Sequence, residues 1–257
     1  MVGVNASAEP RDAEAARIYF GTPITPVTFK EWLDTIQARL DSCERQYLSG
    51  SHNLHSLYLA QNDSGMAEFY RRCNDCYIDG MAVRIAVAAA GIATSAGQRF
   101  SLMDMFPQLM EHAAKRAWTV VYVGSSQEVV DKARARLNRD FPGLDISLYN
   151  GYFVDDERLI QTINRLRPDL LLVGMGMPRQ EEWLLAHMDD LDVAVATQAG
   201  ATLDYFAGAQ ARPPAWLSDA GLAWFYRLVH DPRRLWRRYL LEPWALLLPT
   251  LKLWSRR

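Results

Sequence analysis

Residues 168–183 constrain the fold of this chain more than any other stretch. After its first residue, the run 169–173 is apolar without interruption, which is typical of a strand buried on both faces. It ends at Gly174-Met175-Gly176, and Pro178 suits the first turn of a helix, where the missing N–H costs nothing. The stretch therefore predicts a buried strand, a tight glycine turn and a helix.

The same turn is a candidate anion site. The first N–H groups of a helix lie at the positive end of its dipole, so a phosphate is stabilised there. Arg179 and Gln180 add a cation and an amide. The alternative is an ordinary strand–turn–helix joint. Arg179 stands where a dinucleotide fingerprint has its third glycine, which disfavours NAD.

Strand and helix patterns alternate along the chain. Strands are predicted at 46–49, 76–78, 119–123, 145–148, 169–173 and 193–197. Helices are predicted at 27–40, 54–70, 100–117 and 156–166. A further helix begins at residue 81, and two more end at about residues 138 and 188. This alternation predicts an α/β fold: a Rossmann-like, mostly parallel sheet with helices on both faces. Right-handed crossovers put all carboxyl ends at one edge, where a ligand crevice forms. Small or polar residues follow the strands there: Ser51, Asn53, Asp79, Gly124, Gly151, Gly174 and Gln198.

Residues 212–257 differ in composition from the rest. They carry nine Lys or Arg against three acids, a net charge of +6 in a chain of net charge -2, so residues 1–211 carry -8. Five of the eight Trp also lie there. Arg227, Arg234 and Arg238 can share one basic stripe beside apolar helix faces, a pattern typical of a segment at a membrane interface. A helix packed on the body with a solvated basic face is the alternative. Nucleic acid is disfavoured because the body is acidic.

We therefore divide the chain into a loosely ordered N-terminus (1–20), an α/β catalytic domain (21–211) and an amphipathic, membrane-associating appendage (212–257). The N-terminus has no apolar signal segment, and no run reaches the ~18 apolar residues of a spanning helix. Three cysteines are too few for a disulfide framework. We expect free thiols and a cytoplasmic protein.

Asp79 is the strongest candidate for a catalytic residue, because a carboxylate at the carboxyl-end edge of a parallel sheet can act as a general base. A turn-forming Asp before glycine is the alternative. Ser101 and Asp104 fit a loose capping box.

Candidate metal ligands are weak. Asp190 and Asp192 resemble a carboxylate metal pair but precede a strand, so we expect a solvated turn at the wrong edge of the sheet. His52 and His55 lack a third ligand. We expect no metal and no cofactor.

Several motifs agree in order and spacing with one family. They are Asp79-Gly80, Gly151-Tyr152-Phe153, and the blocks at 174–183, 200–208, 221–228 and 232–239. Over roughly residues 21–239 the chain resembles the WecG/TagA/CpsF glycosyltransferases, which include wall teichoic acid, enterobacterial common antigen and exopolysaccharide enzymes.

The resemblance implies a metal-independent, inverting transfer of a hexosyl or N-acetylhexosaminyl group from a UDP-sugar to a polyprenyl-diphosphate-linked sugar at the cytoplasmic membrane face. It implies that Asp79 deprotonates the acceptor hydroxyl. Its donor-binding motifs match Ser51, Asn53, Arg99, Tyr152, Gly174, Gly176 and Gln180. Its appendage, matching Arg227, Arg234 and Arg238, is expected to dock on an anionic membrane and help close the site. A second copy of the chain is a further candidate partner.

The sequence departs from the family pattern at a few positions. Ser51 replaces Thr, and Arg179 replaces Lys. Phe-Ser-Leu-Met at 100–103 replaces Val-Thr-Gly-Ser, so the resemblance does not identify the donor sugar. A nucleotide-sugar-binding or assembly protein without turnover is the alternative function. A nicotinamide oxidoreductase would need a complete glycine fingerprint.

Overall fold

We describe the protein from a computed structural model, which describes residues 17–19, 21–153, 155–212, 214, 217 and 222–244. The strands are β1 (Arg17–Tyr19), β2 (Thr22–Ile24), β3 (Tyr47–His52), β4 (Asp75–Ile78), β5 (Thr119–Gly124), β6 (Asp145–Tyr149), β7 (Leu170–Gly174) and β8 (Val195–Gln198). The helices are α1 (Phe29–Asp41), α2 (Leu54–Asn62), α3 (Ser64–Arg72), α4 (Met81–Ala89), α5 (Leu102–Arg116), α6 (Gln127–Asp140), α7 (Asp156–Leu166), α8 (Arg179–His187), α9 (Thr202–Phe206), α10 (Ala223–His230) and α11 (Pro232–Leu240).

Six strands form one parallel sheet in the order β4-β3-β8-β7-β5-β6. Alternate residues of its central strands face two separate cores, as the two-residue period of a strand requires. Val120, Tyr122 and Leu172 face a core shared with α1, α5, α6 and α9. Val121 and Val173 face a core shared with α3, α7 and α8. The predicted parallel sheet with helices on both faces is confirmed.

Local signals account for several helix boundaries. Thr28 caps α1 in a capping box with Glu31, and the helix starts where the sequence predicts. The predicted single helix 54–70 is wrong. Asp63 leaves helical geometry with φ -133° and ψ 124°, and its carboxylate accepts the N–H of Met66, so α2 ends and α3 begins there.

Two short strands at the N-terminal side were not predicted. β1 and β2 form an antiparallel hairpin around Gly21, whose φ of +78° suits a glycine. Thr25, just after β2, donates its N–H to the carbonyl of Cys76 in β4 at 2.8 Å, so the hairpin covers the sheet edge. β1 lies within the segment predicted to be loosely ordered, and residues 1–16 lie outside the described ones.

The described part of the C-terminal appendage consists mainly of the helices α10 and α11. Pro232 stands in the first turn of α11, where it needs no N–H partner. None of the described helices is long and apolar enough to cross a bilayer.

Candidate active site

The carboxyl ends of β3, β4 and β8 open into one cavity of about 360 Å³. The start of α5, the loop before α8 and the described part of the appendage complete its walls. The polar residues of the body that line it are Ser51, Asn53, His55, Tyr77, Asp79, Ser101, Gln180, Gln198, Thr202, Tyr205 and Gln210. The polar residues of the appendage that line it are Arg227, Arg237, Arg238, Tyr239 and Glu242. The crevice therefore lies at the predicted edge of the sheet, and the appendage covers it.

Asp79 is half-buried in this cavity, directly after β4. Its backbone N–H donates to the carbonyl of His52 at 2.9 Å, which fixes the turn. Burial raises the pKa of Asp79, while the charges of Arg227 and Arg238 and a hydrogen bond from Ser101 act in the opposite direction. A carboxylate with a raised pKa is a better proton acceptor than a solvated one, so the position suits a general base.

Ser101 serves this carboxylate rather than its own helix. It occupies the N-cap position of α5, yet its side chain makes no capping hydrogen bond. The Ser101 side chain instead lowers the pKa of the Asp79 carboxyl. The predicted capping box with Asp104 is therefore wrong. The sequence alone does not reveal that the hydroxyl of this N-cap serine is left free to act on Asp79.

Two arginines of the appendage reach the same cavity. The guanidinium of Arg227 lies 5.5 Å from the ring centroid of Tyr205 and contacts the Met103 sulfur at 3.7 Å. Arg238 donates to Asn53 Oδ1 at 3.3 Å. Burial lowers the pKa of Arg238, but an arginine keeps its charge in proteins. Of the predicted basic stripe, Arg227 and Arg238 therefore face the body of the protein, because both line the cavity.

A further contact holds the appendage on the body. His55 Nδ1 and Glu242 Oε2 lie 2.7 Å apart in the cavity wall. The two residues are 187 positions apart, so no local pattern predicts the pair. Arg234 lies in α11, but its side chain falls outside the described residues.

The outward surface of the appendage carries many apolar side chains. Its exposed large apolar side chains are Leu222, Trp224, Phe225, Val229, Trp236, Leu240, Leu241 and Trp244. Trp244 is 68% exposed, the largest fraction among them. A cluster of this kind on one short segment is a candidate interaction surface.

Several hydrogen-bonding groups around the start of α8 are already paired within the protein. The N–H groups of Gln180 and Glu181 donate to the carbonyls of Gly176 and Pro178, each at 3.0 Å. Gln180 Oε1 accepts the N–H groups of Gly176 and Gly200 at 3.2 and 3.1 Å. The N–H groups of Gln180 and Glu181 are therefore not available to an anion, and the amide of Gln180 holds two loops together. An anion site on the other N–H groups of the glycine turn stays a prediction.

Three further predicted donor-binding residues lie outside the cavity lining. Gly174 is needed for packing, since a Cβ there would meet the Tyr122 hydroxyl at 2.0 Å. Tyr152 is 73% exposed and lies beneath the guanidinium of Arg179, 5.7 Å from its ring centroid. Arg99 is half-buried, and its Nε has no hydrogen-bond partner among the described residues. Ser51, Asn53, Gly176 and Gln180 do line the cavity.

The weak metal candidates have other partners. His52 is buried between Ser56 and the carbonyl of Pro23, and burial lowers its pKa to about 3. Asp192 forms ion pairs with Arg45 and Arg167 before β8, at the edge opposite the cavity, as predicted. No group of three His, Cys, Asp or Glu in the described part of the chain could hold a metal ion.

Comparison with known proteins decides the family. The model of the glycosyl transferase WecG/TagA/CpsF family matches residues 17–257. The chain belongs to this family.

Curated relatives of this glycosyltransferase match part of its chain. An N-acetylglucosaminyldiphosphoundecaprenol N-acetyl-beta-D-mannosaminyltransferase of Staphylococcus aureus (strain MW2) is 28% identical over 162 residues, 63% of this chain and 64% of the relative. A protein of the same name from Bacillus spizizenii is 33% identical over 146 residues, 56% of each chain. The match thus spans less than two thirds of these relatives.

Proposed function

We propose that this protein transfers a sugar from a UDP-sugar to a polyprenyl-diphosphate-linked sugar, with inversion of the anomeric carbon. The observation that carries the proposal is the half-buried carboxylate of Asp79 facing two appendage arginines in one cavity. The names of the relatives describe transfer of N-acetylmannosamine to an undecaprenyl-diphosphate-linked sugar. Membership of the family and this geometry support the same reaction class.

The proposed reaction is a single displacement. Asp79 accepts the proton of the acceptor hydroxyl, and the resulting oxygen nucleophile forms a bond to the anomeric carbon. The bond between that carbon and the UDP oxygen breaks on the opposite face, which inverts the configuration. UDP leaves with the bonding electron pair, and fixed cations stabilise that developing charge. We assign this stabilisation to Arg227 and Arg238, which line the cavity.

Other donor contacts are proposed by position. Ser51 and Asn53 lie at the end of β3 in the cavity wall and suit sugar or phosphate hydrogen bonds. Gly176 and Gln180 shape the wall beside them. Contacts of Arg99 and Tyr152 with UDP remain predictions, since both lie outside the cavity lining. We infer a metal-independent reaction, in which transfer persists in EDTA.

The decisive experiment incubates the full chain with a panel of UDP-sugars, including UDP-N-acetylmannosamine, and a short polyprenyl-diphosphate sugar acceptor. Asp79→Asn should lower kcat/KM by about 10²–10⁴, the usual contribution of a general base. Asp131→Asn, on the exposed surface of α6, is the matched control and should change little. Product NMR should show an inverted linkage. UDP binding without transfer from any donor would contradict the proposal and favour a binding protein.

We further propose that the appendage docks on the anionic cytoplasmic face of the membrane. Its exposed tryptophans suit an interfacial position. Replacing Trp236 and Trp244 together by Ala should reduce sedimentation with phosphatidylglycerol vesicles. Ile85→Ala removes an equally exposed apolar side chain from α4 and should have no effect. Equal sedimentation of all three proteins would contradict membrane docking through this surface.

A further inference from the structure

Gln198 carries an unpaired hydrogen-bond acceptor in the wall of the cavity. It is the last residue of β8, lines the cavity and is only 3% exposed. Its Oε1 is buried without a hydrogen-bond partner among the described residues. An unpaired buried acceptor is costly, so a group that donates a hydrogen bond to Oε1 is favoured there.

The orientation of this amide is fixed by its other end. Gln198 Nε2 donates to the carbonyl of Ser51 at 2.9 Å and to the Tyr70 hydroxyl at 3.1 Å. Tyr70 in turn donates to the same Ser51 carbonyl at 3.1 Å. Rotating the amide would put Oε1 against that carbonyl, where two acceptors repel. Oε1 is therefore held as an acceptor and cannot exchange its role with Nε2.

The surroundings indicate what kind of donor group fits. β8 and β4 are separated by β3, so the strands that carry Gln198 and Asp79 lie two spacings apart, roughly 10 Å. A ligand that reaches both residues has to span β3, as a sugar ring with its substituents does and a single phosphate does not. A phosphate also brings acceptor oxygens, which Oε1 would repel, whereas sugars carry hydroxyl and amide N–H donors.

We propose that Gln198 is a sugar-recognition residue whose Oε1 accepts a hydrogen bond from a hydroxyl or amide N–H of a sugar bound in the cavity. This inference rests on the proposed transferase function and deepens it. The sugar can be the one transferred or the one that accepts it, and the two sources are distinguished by the experiment.

The test compares the full-length wild type with Gln198→Met, which keeps the length of the side chain but removes its polar atoms. kcat/KM is measured with the complete donor and acceptor and with analogues of each that lack one hydroxyl or the acetamido group. With complete substrates we expect a loss of about 10- to 100-fold, the worth of one buried hydrogen bond. With the analogue that lacks the partner of Gln198, both proteins should react equally. Whether that analogue is a donor or an acceptor identifies the sugar.

Tyr70→Phe is the structural control. It disturbs the same network, but the Ser51 carbonyl still orients the Gln198 amide. This variant should discriminate among the analogues as the wild type does. The proposal would be overturned if Gln198→Met lowered kcat/KM by the same factor on every analogue, or by less than about threefold on the complete substrates. It would also be overturned if Tyr70→Phe no longer distinguished the analogues as the wild type does.

Failure of the proposed function would give a different result. If the wild type transfers no sugar, binding of the UDP-sugars and of free acceptor sugars is titrated by calorimetry for both proteins. Weaker binding of one sugar by Gln198→Met would support sugar recognition without transfer. Equal Kd values, or no sugar binding by the wild type, would contradict the role of Gln198.

Discussion

The joint between β7 and α8 and the C-terminal appendage contribute to the cavity in opposite ways. In the joint, the N–H of Gly176 and the Gln180 amide use their hydrogen bonds within the protein. The appendage supplies charge, because Arg227 and Arg238 extend from it toward Asp79. The most recognisable glycine motif of the chain therefore builds the scaffold, while the positive charge near Asp79 comes from a segment about 150 residues further along the chain.

The largest effect should come from removing one appendage charge. Arg227→Gln should lower kcat by about 10²–10³, as when one donor that stabilises transition-state charge is removed. Arg233→Gln, on the exposed surface of α11, is the matched control and should retain activity. Rates of sugar transfer for the two variants provide the measurement. Equal rates for both would place the essential charge elsewhere.

Adding one methyl group to the joint should reduce stability. In Gly174→Ala the new Cβ would meet the Tyr122 hydroxyl at 2.0 Å and the Gly200 carbonyl at 2.7 Å. We expect a free energy of unfolding lower by about 1–3 kcal/mol, the usual cost of overpacking. At Gly97 the corresponding contact is 3.6 Å, so Gly97→Ala serves as the control. Denaturant unfolding measures both, and an unchanged Gly174→Ala would contradict the scaffold role.

A smaller effect concerns the charge of the joint. Burial raises the pKa of Glu181 from 4.5 to about 8, so its carboxyl is mainly protonated at neutral pH. Between these values the unfolded chain releases this proton first, so the stability of the wild type falls as pH rises. Glu181→Gln lacks this contribution. Its stability should therefore increase relative to wild type from about pH 5 to pH 8 and then level off.

Thermal unfolding at several pH values checks this dependence. Glu182→Gln removes the neighbouring exposed carboxylate and should stay parallel to wild type. A Glu181→Gln curve parallel to wild type would mean that the carboxyl ionises normally in the folded protein.

Periodicity predicted most of the sheet because buried strands leave a clear apolar signal. The helix predicted at 156–166 matches α7, and the strand 169–173 differs from β7 by one residue. The break at Asp63 was missed, since a capping carboxylate inside a helical pattern looks like an exposed side chain. The hairpin β1–β2 has only three residues per strand, too few for a two-residue period to stand out.

The residues of the site also fall into a predictable and an unpredictable group. Ser51, Asn53 and Asp79 lie at or just after the carboxyl ends of strands, so the topology alone brings them to one edge. The partners from the appendage are different, because the contacts of Arg238 with Asn53 and of Glu242 with His55 join residues 185 and 187 positions apart. Gln198 was visible as a polar strand end, but its unpaired Oε1 depends on the orientation set by Ser51 and Tyr70.

The most direct test of this account is the pH dependence of kcat/KM for sugar transfer. Its rising limb reports the ionisation of the essential base in the free enzyme, which we assign to Asp79. The Arg227 charge lowers the pKa of Asp79, so Arg227→Gln should move the midpoint of that limb to higher pH, whereas Arg233→Gln should leave it in place. A midpoint that is the same in wild type and Arg227→Gln would contradict the claim that the appendage sets the electrostatics of the catalytic carboxylate.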